Sequence, residues 1–124
     1  MSNATTLCWA QGLYFAVTGV WPLVSIRTFE AVTGAKTDKW LVKTVGVQVA
    51  VVGAVLLLAG SSGRVTPEVV LLAVGSALGL MAIDVWYVSR RVIPRIYLMD
   101  AAAELLLVAL WALVRAPSLV GLAP

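Results

Sequence analysis

Apolar residues gather in four long runs, Leu7–Ile26, Trp40–Ala59, Pro67–Val88 and Pro94–Val114, with short polar stretches between them. A hydrocarbon core about 30 Å thick is crossed by about 20 helical residues, and each run reaches that length. The pattern predicts an all-α membrane protein, a four-transmembrane-helix bundle made of two helical hairpins, with residues 1–124 as a single domain. Local signals sharpen the boundaries. Thr66 before Pro67 reads as an N-cap followed by a first helical position. Gly60-Ser-Ser-Gly63 reads as a turn, and Ser89–Ile93 as a tight connection. Arg27–Lys39 reads as a charged loop. Thr33-Gly34 breaks any helix there, and Phe29 and Val32 rest on the headgroup layer. Ala116–Pro124 reads as a short apolar tail.

Composition agrees with this reading. The chain is 61% hydrophobic and 12% charged, with a mean hydropathy of +0.99. That charged fraction is about half the quarter usual in soluble domains. Met1–Ile26 carries no charged side chain, so it lacks the positive n-region of a cleaved signal peptide and reads as a span. The sequon Asn3-Ala4-Thr5 reads as a chance match, and Cys8 lacks the context of a lipidation site.

The net charge of +3 does not point to nucleic acid, because the basic residues sit in the loops, where topology accounts for them. Arg27, Lys36, Lys39, Lys43, Arg90, Arg91 and Arg95 lie at one end of the helices, and Arg64 and Arg115 at the other. The bias places both hairpin turns in the cytoplasm and both termini outside, in a cell membrane of the cytoplasmic or inner type. Val20-Trp21 and Val85-Trp86, each before a basic connection, hint at a weak internal repeat of the two hairpins.

Small residues predict how the helices meet. Gly46, Gly53 and Gly60 recur every seven residues, and Gly75 and Gly79 make a GxxxG spacing. Both patterns favour close helix approach, within the chain or to a partner.

The chemistry lies in polar residues inside the apolar runs. A carboxylate at that depth is costly and faces protein or water. Glu104 stands ten residues after Pro94, about 15 Å into its helix, and Asp100 lies one turn before it. Gln48 and Thr18 fall at a similar depth. Gln11, Tyr14, Thr18, Trp21 and Ser25 follow a three-to-four spacing that draws one polar stripe on the first helix. These positions predict a polar pocket of Glu104, Asp100, Gln48, Thr18, Tyr14 and Gln11, with Glu104 bonded to Gln48. Lys43, Asp84, Arg91 and Trp86 would form a cytoplasmic gate or headgroup site; the structural alternative is that Lys43–Asp100 and Asp84–Arg91 are simply ion pairs near the cytoplasmic interface.

Histidine is absent and there is one cysteine. No metal set, cofactor motif or catalytic triad is readable. The expected function is binding of a small or lipid-like ligand, or passage of a cation or proton, with membrane lipid and a homo-oligomer or larger membrane complex as partners. An accessory subunit of such a complex is the alternative. A lipid-modifying enzyme using the paired carboxylates stands behind both.

Overall fold

A computed structural model describes residues 3–119 of the chain. It is all-helical, with five helices in the order α1 (Asn3–Val24), α2 (Ile26–Thr33), α3 (Lys39–Ser62), α4 (Pro67–Ser89) and α5 (Tyr97–Leu119). Four of them, α1, α3, α4 and α5, are long and apolar enough to cross a membrane. Their outward faces carry large apolar side chains such as Leu58, Leu71 and Leu113, all well exposed. Such faces suit lipid rather than water. Of the expected C-terminal tail, residues 120–124 lie outside the described residues, as do Met1 and Ser2.

The first span departs from its expected limits. It begins at Asn3 and ends at Val24, two residues after Pro22. Pro22 has no N–H to give to the helix, which favours termination nearby. The chain then turns at Ser25 into α2, a helix where a charged loop was expected. Ser25 is its N-cap, with the side-chain oxygen accepting from the Thr28 N–H at 3.3 Å. Trp21 secures the corner: its Nε1 donates to Thr28 Oγ1 at 2.9 Å, and its ring meets Phe29 edge-on with centroids 5.3 Å apart. Phe29 and Thr33 thus face inward while Arg27 and Thr28 are exposed, an amphipathic pattern over two turns. Thr33-Gly34 does stop this helix. Gly34 takes φ +98°, and a Cβ there would meet Pro94 at 2.9 Å.

Lys36 closes the same end of α2. Its ammonium donates to the carbonyls of Thr33 (2.9 Å) and Gly34 (2.7 Å) and stands over the rings of Phe29 and Tyr97, 5.9 and 5.3 Å from their centroids. A cation at a helix C-terminus is favourable because free carbonyls concentrate negative charge there. Glu30 accepts from the Lys36 backbone N–H at 2.7 Å and pairs with Lys39 at 3.2 Å. The backbone N–H, and after it Lys39, hold the Glu30 carboxyl below its ordinary range.

The closest packing joins α1 to α3. The expected stripe of Gly46, Gly53 and Gly60 is buried, and it meets a matching stripe, Gly12 and Gly19, on α1. A Cβ on Gly53 would stand 2.5 Å from the backbone nitrogen of Ala16. The other small-residue pair behaves differently: Gly75 and Gly79 are exposed and have nothing within 4 Å of an added Cβ. On α4 the inward positions are instead Ala73, Ala77 and Asp84. The turn after α4 closes with Arg91 N–H donating to Val88 O (3.0 Å) and Val92 N–H to Tyr87 O (2.9 Å). This is a Schellman closure with Arg91, at φ +60°, where glycine is usual. The last helix starts at Tyr97 rather than Pro94, because residues 95–96 form a turn.

Candidate functional site

The inward face of α5 carries Asp100, Glu104, Leu107 and Trp111, spaced by four, three and four residues. Glu104 is fully enclosed at 0% exposure, and neither carboxyl oxygen has a hydrogen-bond partner. Asp84 of α4 is 5% exposed, and its Oδ2 also lacks a partner. The carboxyl groups of Asp84 and Asp100 are neighbours, close enough to act on each other electrostatically. Asp100, half-buried, also accepts from the Tyr14 hydroxyl of α1. Glu104 is near enough to act electrostatically on Asp84, Asp100 and Tyr14. Three helices thus bring three acids and a phenol together.

Above this cluster, toward the N-terminal end of α1, sits Gln11. It is fully buried, donates Nε2 to the Ala73 carbonyl at 2.8 Å and accepts from Trp111 Nε1 at 2.8 Å. Ala73 has a small side chain, which lets the amide reach the α4 backbone. Trp111 was not foreseen as part of the site, although it lies seven residues after Glu104 on the same face.

The other expected members are placed elsewhere. Gln48 makes no bond to Glu104. It is exposed and lines a groove between α3 and α4 with Val45, Val52, Ser76, Gly79 and Ile83. The groove is apolar apart from Gln48 and Ser76, and no carboxylate lines it. Thr18 turns back on its own helix, donating to Tyr14 O at 2.8 Å. The expected ion pairs do not form. Among the described residues, the ion pair present joins Lys39 and Glu30, while Lys43 and Arg91 are exposed. Asp84 instead turns inward to Asp100, because Ala73, Ala77 and Asp84 share one face of α4 at helical spacing. Trp86 is exposed, with the Arg90 guanidinium 4.5 Å from its ring centroid.

The chain matches no protein-family model, no curated protein and no solved structure. The chemistry of the site must therefore be argued from its own groups. Neighbouring carboxyls in an apolar surround favour a shared proton or a cation, since like charges repel at short range. Among the described residues, no three His, Cys, Asp or Glu side chains are grouped to hold a metal ion.

Proposed function

We propose that the protein is a small integral membrane protein, a bundle of four spanning helices, that binds a proton on the carboxyl cluster Glu104–Asp100–Asp84. The proposed orientation places the basic connections and α2 on the cytoplasmic side and both termini outside, in a cell membrane of the inner type, by the distribution of arginine and lysine.

The observation that carries the reading is Glu104. A carboxylate without a donor, enclosed at that depth in an apolar helix set, is expensive unless paired or neutral. Asp100 offers the next proton site one turn away, and Tyr14 orients it. A proton suits the site better than a small-molecule or lipid-like ligand, because close packing leaves Glu104 no exposed surface. Infrared difference spectroscopy of the purified protein, stepped through pH, tests the reading. The carboxylic-acid carbonyl band is expected to change with pH and to lose one component in Glu104→Gln. Identical spectra for parent and variant would overturn it.

One observation favours the accessory-subunit reading: Gly75 and Gly79 are exposed, and a Cβ added at either would meet nothing within 4 Å. Under that reading, Gly79→Leu dissolves a complex of fixed stoichiometry in native membranes while the thermal unfolding of the monomer stays unchanged.

A further inference from the structure

Between the carboxyl cluster and the end of the molecule where α1 begins lies a closed layer to which all four long helices contribute. Leu7 and Cys8 of α1, Leu56 and Ala59 of α3, Ala73 of α4 and Trp111 of α5 form one buried group. Gln11 is the polar tie inside it, with both of its amide functions bonded, to α4 and to α5. The layer sits directly over Glu104. Trp111 is seven residues further along α5, about 10 Å at helical rise, and Gln11 is one turn before Tyr14 on α1. In the other direction, toward the start of α5, the exposure of the site residues differs. Glu104 is enclosed and Asp84 nearly so, but Asp100 and Tyr14 are half-buried.

From this difference we propose that the carboxyl cluster is loaded and unloaded only from the end carrying α2 and the α4–α5 turn. The Gln11–Trp111 latch seals it against the other end. This rests on the proton-binding reading above and adds its sidedness. Opening the sealed end requires both Gln11 bonds to break and leaves the amide and the indole N–H buried without partners, which is costly unless water follows them in. The site is then a one-sided proton acceptor in this conformation. Passage across the membrane would require a second conformation in which the latch is parted.

Cysteine accessibility in membrane vesicles of known orientation tests the seal. In a Cys8→Ser background, single cysteines replace Asp100 and Glu104 in turn, and a membrane-impermeant methanethiosulfonate is applied from each side. Labelling of at least the Asp100 position is expected from the side of the α4–α5 turn, and of neither position from the side of the termini. Adding Trp111→Phe, which keeps an aromatic side chain but removes the indole N–H and part of the buried volume, is expected to admit reagent from the terminal side. Gln11→Met serves as a second latch variant.

The native thiol gives an independent reading, because Cys8 lies within the sealed layer. Its labelling from the terminal side is expected to be slow in the parent and to rise roughly tenfold in Trp111→Phe, the scale of one lost buried hydrogen bond. Labelling from the terminal side with the latch intact would overturn the proposal. So would absence of labelling at both positions from the turn side, or unchanged rates in both latch variants. These rates do not depend on whether Glu104 binds a proton, so failure of the sidedness and failure of the infrared test are separate results.

Discussion

A Cβ placed on Gly19 would stand 2.6 Å from the carbonyl oxygen of Gly46, and one placed on Gly46 would stand 2.6 Å from the carbonyl oxygen of Gly19. The relationship is reciprocal and involves backbone on both sides, so no side-chain rotation relieves it. It lets α1 and α3 approach closely over several turns, from Gly19–Gly46 through Gly12–Gly53 to Gly60. Without a hydrophobic force between helices in lipid, such close packing supplies much of the association.

Gly19→Ala is therefore expected to destabilise the protein by about 1–3 kcal/mol, the usual cost of forcing extra atoms into a packed contact. Gly79→Ala is the control. Nothing lies within 4 Å of its added methyl, and alanine favours the helix by roughly 0.5–1 kcal/mol over glycine. Thermal unfolding in one detergent should show a lower midpoint for the first variant and an equal or higher one for the second. Equal losses in both would mean that the glycines act through helix propensity rather than contact.

Arg91 was expected in a gate, and its backbone points to another role. At φ +60° it occupies the left-handed position that closes α4, a conformation that costs an L-residue roughly 1–2 kcal/mol. Arg91→Gly removes that cost and gives part of it back as unfolded-chain entropy. The expected net effect is stabilisation of up to about 1 kcal/mol, read as a higher unfolding midpoint. An exposed guanidinium that held a ligand would show the opposite signature, loss of ligand-dependent stabilisation without a gain in the apoprotein.

Glu30 gives a pH prediction at the α2–α3 connection. Its carboxyl is held below the ordinary value of 4.5 by the Lys36 N–H first and Lys39 next. A group with a depressed folded pKa contributes stability that is fully present above the unfolded value and is lost as pH falls through the folded one. The stability difference between the parent and Glu30→Gln should be constant at neutral pH and shrink as the pH drops below about 4.5. A difference that stays constant through that window would show that the two hydrogen bonds do not favour the charged form.

Much of the fold was legible because length and hydropathy dictate helices long and apolar enough to span a membrane, whatever their partners. The N-cap Thr66 and Pro67 mark the start of α4 as read. The α2 helix was missed because its charges and the Thr33-Gly34 stop outweighed the Ser25 cap and the turn-spaced Phe29 and Thr33. The seven-residue step from Gly12 to Gly19 was as readable as that from Gly46 to Gly53, and would have paired the two helices. The carboxyl positions on α5 were legible from spacing, but Gln48 was not, because depth does not give rotation. Gly46 faces α1, and two residues further on the helix has turned by about 200°, which carries Gln48 away from the acids. The Gln11 latch depends on the joint register of α1, α4 and α5, which no single helix pattern contains.

Tyr14 and Asp100 supply the test of whether the acids act as a set. The Tyr14 hydroxyl donates to Asp100 Oδ1 across 86 positions of chain, and the ring packs beside Phe15 with centroids 6.1 Å apart. Tyr14→Phe keeps the ring and removes the donor. A hydrogen bond of this kind contributes about 0.5–1.5 kcal/mol, more when the acceptor is charged, so the variant should unfold at a lower temperature. In an Asp100→Ala background the acceptor is already gone, and Tyr14→Phe should then cost little. The difference between the two costs is the coupling, expected near 1 kcal/mol and within the range for residues in contact. In infrared spectra, Tyr14→Phe should move a carboxyl component that Asp100→Ala abolishes, while the Glu104 component persists. Equal costs in both backgrounds, with unchanged spectra, would mean that the tyrosine is packing alone and that Asp100 is held by Asp84.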